Sequence, residues 1–305
     1  KVLDPMLAPR VINEMEDELR RQVGELIDAF ADKGSCDIVA DLARLYPTQV
    51  FLTLFGLPLA DRDQFIAWAD TIVDLSAAGA GEPSSEVLET AMALLTYLQQ
   101  CVDARRAEPG HDMLSRVLVL DGDDAWTNEE VLGLCFLFVL AGLDTVTAEI
   151  GFIVQHLATH PDLRRTIVDD PSKIGALIEE VLRLELPAPI TPRKATEDVE
   201  VCGTHIPKGA NVFLVLGAAN RDPSRFADPH RVDLDAAERG HLGFGGGIHR
   251  CLGSHLARRE LRLVVEELHK RIPDYEVAPG ATPSVKWPAG TLGLDALPLV
   301  FPPAR

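Results

Sequence analysis

A cysteine in a glycine-rich turn is the residue of this sequence with the clearest potential for chemistry. Cys251 lies in FGGGIHRCLG, residues 244–253. Glycine adopts backbone conformations closed to other residues and lets a flat group approach the chain closely. Residues 252–270 have the spacing of an amphipathic helix, whose N-terminus would stabilise a thiolate. Cys251 is therefore a candidate soft metal ligand, although a single cysteine after a loop is by default a buried packing residue.

An acid and an alcohol inside an apolar helix form the second candidate site. Asp144 and Thr145 lie in LAGLDTVTAE, where a carboxyl group is costly unless it has a partner or a task. Gly142, on the same face as Thr145, removes a side chain and leaves room for a ligand. A hydroxyl beside a carboxylate can pass protons through ordered water. In the alternative interpretation Thr145 bonds a carbonyl of its own helix and Asp144 points to solvent.

Charged residues elsewhere are weaker candidates. Glu180 and Arg183 in EEVLR are three residues apart and share a helix face, which alone is typical of a surface ion pair. Arg193 follows the prolines of LPAPITPRKA, which favour an extended course, and a guanidinium there would suit a carboxylate. A solvated loop arginine explains Arg193 equally well.

The elements that position these residues are mostly helical. Apolar spacing predicts helices over residues 10–31, 47–55, 60–75 and 86–107. Thr127 and Glu130 form a capping box that begins a long helix, which ends at His160 and Pro161. Pro171 opens a further helix that stops near Leu186 and Pro187.

Strand signals are confined to the C-terminal third of the sequence. Residues 199–216 alternate and turn at Gly203 and Gly209, as a hairpin or meander would, and residues 285–301 have a similar character. The sequence therefore predicts a mainly α fold with minor β sheets after Glu197.

Composition limits the class of protein. The 305 residues are 47% hydrophobic and 25% charged, which is ordinary for a globular chain. Residues 77–86 are too short for a linker and are predicted as a surface loop between helices, so we expect one domain over residues 1–305. The net charge of −18 disfavours nucleic acid as a partner, because such a surface repels phosphate.

Cysteine usage and hydropathy bear on location. The five cysteines show no C-x-x-C spacing, which argues against a disulfide framework or zinc site and fits a reducing cytoplasm. The longest apolar run, residues 131–143, is too short to span a bilayer and predicts a buried helix, so we expect no integral membrane segment. The start at Lys1, in a segment typical of a domain interior, predicts an incomplete N-terminus.

The pattern F-x-x-G-x-H-x-C-x-G at residues 244–253 resembles the haem-thiolate signature of the cytochrome P-450 superfamily, in its soluble bacterial form. AGLDT resembles the oxygen-activation motif of that family, and EEVLR its E-x-x-R helix. The resemblance extends over residues 7–301 in the family's order of segments. It implies the cytochrome P-450 fold, an orthogonal helix bundle, as a single haem-thiolate monooxygenase domain lacking its N-terminal segment. Truncation would also remove part of the cofactor pocket.

The resemblance implies a role for each candidate residue. Cys251 would be the axial thiolate ligand of heme b, Arg193 and His249 would contact the haem propionates, and Asp144 and Thr145 would relay protons. Further cofactor contacts are implied for Ala141, Gly142, Phe244, Gly245 and Gly253. A structural network is implied for Glu180, Arg183 and Arg231, although Val232 stands where the family commonly has phenylalanine. An apolar substrate pocket is implied for Leu137, Leu140, Pro189, Ile190 and Leu292.

The implied reaction inserts one atom of dioxygen into a C–H bond of a lipophilic small molecule. Electrons would come from NAD(P)H through a separate ferredoxin reductase and ferredoxin. Near the cysteine the sequence has one acidic residue, Glu260, and four arginines, Arg250, Arg258, Arg259 and Arg262. These arginines could steer an acidic ferredoxin, or form an ordinary solvated face. A peroxide-driven peroxygenase, a non-catalytic haem-binding or lipid-binding protein, and a fragment that binds no haem remain alternatives.

Overall fold

Helices form most of the chain. The structure, a computed structural model, describes residues 3–77, 84–120, 122, 125–235, 240–286 and 291–304. Most of the predicted loop over residues 77–86 lies outside them. The α-helices within these ranges are α1 (Pro9–Asp28), α2 (Leu45–Leu54), α3 (Arg62–Ala77), α4 (Ser85–Ala107), α5 (Met113–Leu118), α6 (Asn128–Thr159), α7 (Pro161–Asp169), α8 (Ile174–Leu184), α9 (Leu216–Ala219) and α10 (Ser254–Arg271).

The long helix α6 is the central element. Its capping box is confirmed: the Thr127 hydroxyl accepts from the Glu130 N–H, and the Glu130 carboxylate accepts from the Thr127 N–H at 2.8 Å. Its N-terminal half, through Leu143, packs with α2, α4 and α5 in one hydrophobic cluster. From Val146 onward it packs with α1, α8 and α10 in a second cluster. Residues 144 and 145 therefore lie where the two clusters meet.

By length and composition, α6 passes the test for a membrane-crossing helix. It is 32 residues long, with a mean hydropathy of 2.1 in its most apolar window. The apolar run at residues 131–143, which alone is too short to span a bilayer, is only part of this helix, so the argument from the length of the run does not extend to the whole of α6. Its side chains contribute to both hydrophobic clusters, which is typical of a core helix.

Three small antiparallel sheets accompany the helices in the described ranges. Strands β1 (Ser35–Asp37), β7 (Pro298–Val300) and β6 (Glu276–Val277) pair in that order. Strand β2 (Ile190–Lys194) pairs with β5 (Asn211–Val215), and β3 (Val199–Val201) pairs with β4 (Thr204–Ile206). The mainly α class with minor sheets is confirmed, but the placement of all strands after Glu197 was wrong for β1 and β2.

The predicted turns explain the connections between strands. Gly203 and Gly209 have φ angles of +77° and +84°, in the left-handed region that favours glycine. The first turn closes the β3–β4 hairpin, whereas the second sends β5 to β2 rather than to β4. The register of this β2–β5 pair places Arg193 opposite Val212 and Ile190 opposite Val215.

Helix boundaries differ from the predictions mainly at irregular turns. Helix α2 begins at Leu45 rather than residue 47, because a π-helical turn (Val39–Ala43) leads directly into it. The helix predicted from Pro171 begins as a 3-10 turn (Pro171–Lys173) before α8. Helices α5 and α7 were not predicted, since each is shorter than three turns.

Candidate active site

The loop before α10 presents Cys251 at the protein surface. Gly245 and Gly247 have φ angles of +65° and +62°, and a 3-10 turn (Gly247–His249) follows them. The chain then folds back so that the Cys251 N–H donates to the Phe244 carbonyl at 2.8 Å. The side chain of Cys251 is exposed. Backbone geometry thus holds an accessible thiol at the entrance to α10.

The electrostatics of Cys251 differ from the sequence expectation. Desolvation by the surrounding protein raises the pKa of the thiol, and this outweighs the hydrogen bond from the Gly253 N–H and the charges of Arg258 and Arg250. The helix N-terminus therefore does not produce a thiolate unaided. A metal cation reverses this balance, because a coordinating thiol is deprotonated.

A polar cluster ties the cysteine loop to α8. The Arg258 guanidinium donates to both carboxylate oxygens of Glu179, at 2.6 and 2.8 Å, and lies 4.3 Å from the ring centroid of Phe244. His241 Nδ1 accepts from the Gly243 N–H at 2.9 Å, so its other nitrogen, Nε2, carries the proton that is donated to Glu179 at 3.0 Å. Arg258 and His241 thus converge on one carboxylate beneath the loop.

Burial alone would raise the pKa of Glu179, but the hydrogen bonds from Arg258 and His241 and the charge of Arg258 lower it to about 2. Glu179 is therefore ionised and acts as a fixed anchor for the loop. Sequence reasoning missed Glu179 and His241. Glu179 directly precedes Glu180 in EEVLR, and no spacing rule separates the roles of two adjacent glutamates.

Glu180 and Arg183 form a fully buried ion pair. Arg183 Nε and Nη2 each donate to the Glu180 carboxylate at 2.9 Å, and both residues are 1% exposed. The remaining Arg183 donors bond the carbonyls of Asn220, Pro229 and Arg231, at 3.1, 2.9 and 2.8 Å. One buried arginine thereby holds two separate loop segments against α8.

Arg231 takes part through its backbone and not through its side chain. Its residue surface is exposed, while its carbonyl accepts from Arg183. Backbone carbonyls satisfy the buried guanidinium without a second buried cation, whose desolvation would be costly. The Glu180 carboxylate also accepts from the Asp233 N–H at 2.9 Å. Val232, the departure from the family pattern, is partly buried against the core.

The acid–alcohol pair on α6 combines both sequence interpretations. The Thr145 hydroxyl donates to the Ala141 carbonyl at 2.9 Å, as the alternative interpretation predicted. Asp144, however, does not simply point to solvent. Burial raises the pKa of its carboxyl, against a hydrogen bond from Thr291 and the charge of Lys286, which lower it. A half-buried acid with a cation nearby thus lies next to the threonine.

The surface of α6 before this pair is apolar and uncovered. Leu137 is 58% exposed and Ala141 is exposed one turn later. A Cβ built on Gly142 meets no atom within 4 Å among the described residues. In the cysteine loop, Ile248 is 97% exposed. Exposed apolar patches commonly mark ligand sites, so a large flat apolar group with a soft metal ion, such as haem, fits these residues.

The residues expected to line a substrate pocket lie on two parts of the structure. The Leu292 N–H donates to the Pro187 carbonyl at 2.8 Å, and the Pro189 carbonyl accepts from the Gly217 N–H at 3.0 Å. These bonds bring the C-terminal turn beside the segment that leads to Ile190, which is 45% exposed. On α6, Leu137 is exposed, but Leu140 is partly buried against the first cluster.

Arg193 and His249 are not joined by any contact among the described residues. The Arg193 guanidinium donates to the Pro192 carbonyl at 2.8 Å, within strand β2. His249 is exposed in the turn before Cys251. Both side chains are therefore accessible to a ligand.

The predicted basic surface near the cysteine is largely neutralised. Three of its arginines form ion pairs: Arg258 with Glu179, Arg259 with Glu16, and Arg262 with Glu266. Glu260, which was counted as the only opposing charge, is 3% exposed and does not face solvent. Partners distant in sequence, or on the next helical turn, supply the missing negative charge.

Comparison with known proteins identifies the fold and family. Residues 174–272 match the family described as Cytochrome P450. The chain is 36% identical over 284 residues to a mycinamicin IV hydroxylase/epoxidase from Micromonospora griseorubida, which covers 91% of this chain and 70% of that protein. It is 34% identical over 303 residues to a 6-deoxyerythronolide B hydroxylase from Saccharopolyspora erythraea, covering 98% of this chain and 74% of the relative.

Solved structures give the same result. P450BioI, in complex with an acyl carrier protein ligated to hexadec-9Z-enoic acid, superposes with a TM-score of 0.92 at 31% identity, over 99% of this chain and 78% of that chain. A myxobacterial cytochrome P450 in complex with myristic acid superposes with a TM-score of 0.90 at 34% identity, over 99% and 75% of the two chains. This chain therefore has the cytochrome P450 fold, and it belongs to the cytochrome P450 family of haem-thiolate monooxygenases.

Proposed function

We propose that this monooxygenase hydroxylates a lipophilic small molecule with Cys251 as the axial thiolate ligand of heme b. The observation that carries the proposal is the accessible Cys251 thiol, held in a glycine-rich loop at the N-terminus of α10. Leu252, next to it, packs against the same hydrophobic cluster as Leu143 of α6. Leu252 thereby anchors the cysteine loop to a cluster that α6 helps to form.

The residues around Cys251 suit a haem on chemical grounds. Arg193 and His249 are accessible donors for the two propionates, since a guanidinium fork and an imidazole both bind carboxylates. Apolar or backbone contact with the ring is assigned to Ala141, Gly142, Phe244, Gly245 and Gly253. When bound, the haem supplies the activation of dioxygen, and thiolate donation favours cleavage of the O–O bond.

The chain's own contribution is to hold and move protons. Asp144, half-buried beside Lys286, has a raised pKa that brings it closer to neutral pH. The Thr145 hydroxyl is held on the Ala141 carbonyl, and rotation about its Cβ–Oγ1 bond would turn the proton away from that carbonyl. Glu180 and Arg183, with the carbonyl of Arg231, keep the loops around the site in place.

The substrate class follows from the apolar lining. Leu137 and Ile190 are exposed apolar side chains, and Leu140, Pro189 and Leu292 are partly exposed. The relatives are named for hydroxylation of mycinamicin IV and 6-deoxyerythronolide B, and related structures hold hexadec-9Z-enoic acid or myristic acid. These are lipophilic molecules, which supports a lipophilic substrate here.

Electrons are proposed to come from a separate ferredoxin and its NAD(P)H-dependent reductase, in the cytoplasm. The five cysteines are free, which fits a reducing compartment. Residues 1–305 are proposed to form one domain, because α6 contributes to both hydrophobic clusters.

A peroxygenase is the second candidate function, but peroxide arrives already reduced and needs no proton relay through Asp144 and Thr145.

The test is the absorption spectrum of the reduced protein with carbon monoxide. Thiolate-ligated haem shifts the Soret band strongly to the red, and Cys251→Ser should abolish that shift. Cys202→Ser, a change at another exposed cysteine, is the matched control and should leave the spectrum unchanged. A Soret band at the position of histidine-ligated haem, or no haem band, would overturn the proposal. Product formed with donor proteins, compared with product formed with peroxide, then separates monooxygenase from peroxygenase.

A further inference from the structure

Glu149 is a buried carboxyl that the proposed mechanism does not use. It lies on α6, four residues after Thr145, and is 2% exposed. Neither of its carboxyl oxygens has a hydrogen-bond partner in the part of the chain that the structure describes. A polar group withdrawn from water without a partner is costly, and buried polar groups are almost always satisfied. Both oxygens of Glu149 therefore require a partner beyond these protein contacts.

The surroundings of Glu149 keep it neutral. Burial raises the pKa of Glu149 well above its usual range, and the charges of Glu185 and Glu179 raise it further. The cation and the imidazole that bond Glu179, Arg258 and His241, are engaged by that carboxylate. A neutral carboxyl has one O–H donor and retains acceptor capacity.

Helix geometry directs this donor toward Thr145. Residues four apart on a helix share a face, with their Cβ atoms about 6 Å apart. Long side chains on a helix lean toward its N-terminus, so we expect the Glu149 side chain to extend toward the turn that contains Thr145. The Thr145 hydroxyl donates to the Ala141 carbonyl, which leaves the lone pairs of its oxygen available as acceptors.

We propose that the Glu149 carboxyl donates to an internal water that in turn donates to the Thr145 hydroxyl oxygen. The chain runs from Glu149 through this water and Thr145 to the Ala141 carbonyl, and every step pairs a donor with an acceptor. The second carboxyl oxygen of Glu149 can accept the other water proton or a second water, and such waters commonly make two to four hydrogen bonds. Glu149 is thus a positioning residue that acts through Thr145.

This role rests on the proposed function, because it concerns the threonine that supplies protons. The water holds the Thr145 oxygen in place when its proton leaves the Ala141 carbonyl. Loss of the water would let the hydroxyl rotate freely and would let electrons be consumed without product. Atoms and charges are unchanged by the positioning step itself, since no net proton leaves Glu149.

Infrared spectroscopy tests the neutral acid without any need for haem. The infrared difference spectrum, wild type minus Glu149→Gln, should show the carbonyl stretch of a protonated carboxyl at neutral pH. Glu260→Gln removes another buried glutamate, 3% exposed, and should remove a separate band. Absence of a protonated-carboxyl band assignable to Glu149 overturns the inference, whether or not the protein binds haem.

The ratio of product to NAD(P)H consumed tests the positioning role in the haem-loaded protein. Glu149→Leu removes the donor and should lower this ratio by about tenfold, the equivalent of one lost hydrogen bond of about 1.4 kcal/mol. Glu149→Gln keeps an N–H donor and should remain within about twofold of wild type. Both variants should retain the red-shifted carbon monoxide spectrum, which separates this test from the proposed function. A ratio for Glu149→Leu equal to that of wild type overturns the inference.

Discussion

The guanidinium of Arg258 lies over the ring of Phe244, 4.3 Å from the ring centroid. The same guanidinium donates twice to Glu179 of α8, at 2.6 and 2.8 Å. The first turns of α10 are thereby joined both to the cysteine loop and to a separate helix. The position of Cys251 consequently depends on a planar, forked cation at residue 258 as well as on the glycines of its own loop.

We expect Arg258→Lys to lower the free energy of unfolding by about 1–3 kcal/mol. Lysine keeps the charge but loses the two-pronged bond to Glu179 and the planar stacking on Phe244. The loop should also release haem faster. Urea unfolding measures the first effect, and transfer of haem to an acceptor protein measures the second.

Arg262→Lys is the matched control for this change. Arg262 pairs with Glu266 on the same helix at 2.8 Å, but its side chain is 49% exposed. Exposed pairs contribute about 0–1 kcal/mol, so the control should unfold nearly as wild type. Equal losses of stability for the two variants would show that the stacked arrangement of Arg258 has no special importance.

The buried ion pair of Glu180 and Arg183 makes a contrasting prediction for two arginines. Arg183→Ala should cost about 3–5 kcal/mol, because it leaves the Glu180 carboxylate buried without a counter-charge. Arg231→Ala should cost less than about 0.5 kcal/mol, since only its backbone carbonyl accepts from Arg183. Urea unfolding of both variants checks this. A large loss of stability for Arg231→Ala would mean that its side chain takes part.

The parts of the fold that local chemistry determines could be predicted from sequence. The capping box of Thr127 and Glu130 uses groups three residues apart, and it begins α6 as expected. Strand β1 has only three residues and exists because Ser35 pairs with Val300, far away in the chain. Its segment is too short for an alternation signal, so no pattern within it predicts a strand.

The same distinction applies to the candidate site. Cys251 and the pair on α6 were found because each lies in a short, specific pattern. Glu179 was missed because its function depends on Arg258, which approaches from another helix. The burial of Glu149 was missed for the same reason: burial is set by elements that pack across α6. Long-range packing decides which of two adjacent or similar carboxyls is important.

Thr145→Ala should lower the ratio of product to NAD(P)H consumed by about 10²-fold, the lower end of the range for a lost proton-transfer group, while the carbon monoxide spectrum stays red-shifted. The hydroxyl is needed for protons and not for the fold. Thr147→Ala is the control, because that hydroxyl donates to the Ala43 carbonyl at 2.9 Å and has a structural partner. The control should lose about 1 kcal/mol of stability and keep its ratio. If Thr147→Ala lowered the ratio and Thr145→Ala did not, Thr145 would not be the residue that supplies protons.

Glu179 should make the stability of the protein depend on pH in acid. Burial alone would raise its pKa, but Arg258 and His241 lower it from 4.5 to about 2 in the folded protein. Because the folded pKa is the lower one, the stabilisation is complete above about pH 5 and is lost as the pH falls toward 2. The total is of the order of 3 kcal/mol. Urea unfolding between these pH values should show a shallower decline for Glu179→Gln than for wild type, whereas Glu25→Gln, at a 63% exposed carboxylate, should follow wild type. Parallel declines for Glu179→Gln and wild type would mean that ionisation of Glu179 does not contribute to the pH dependence of stability.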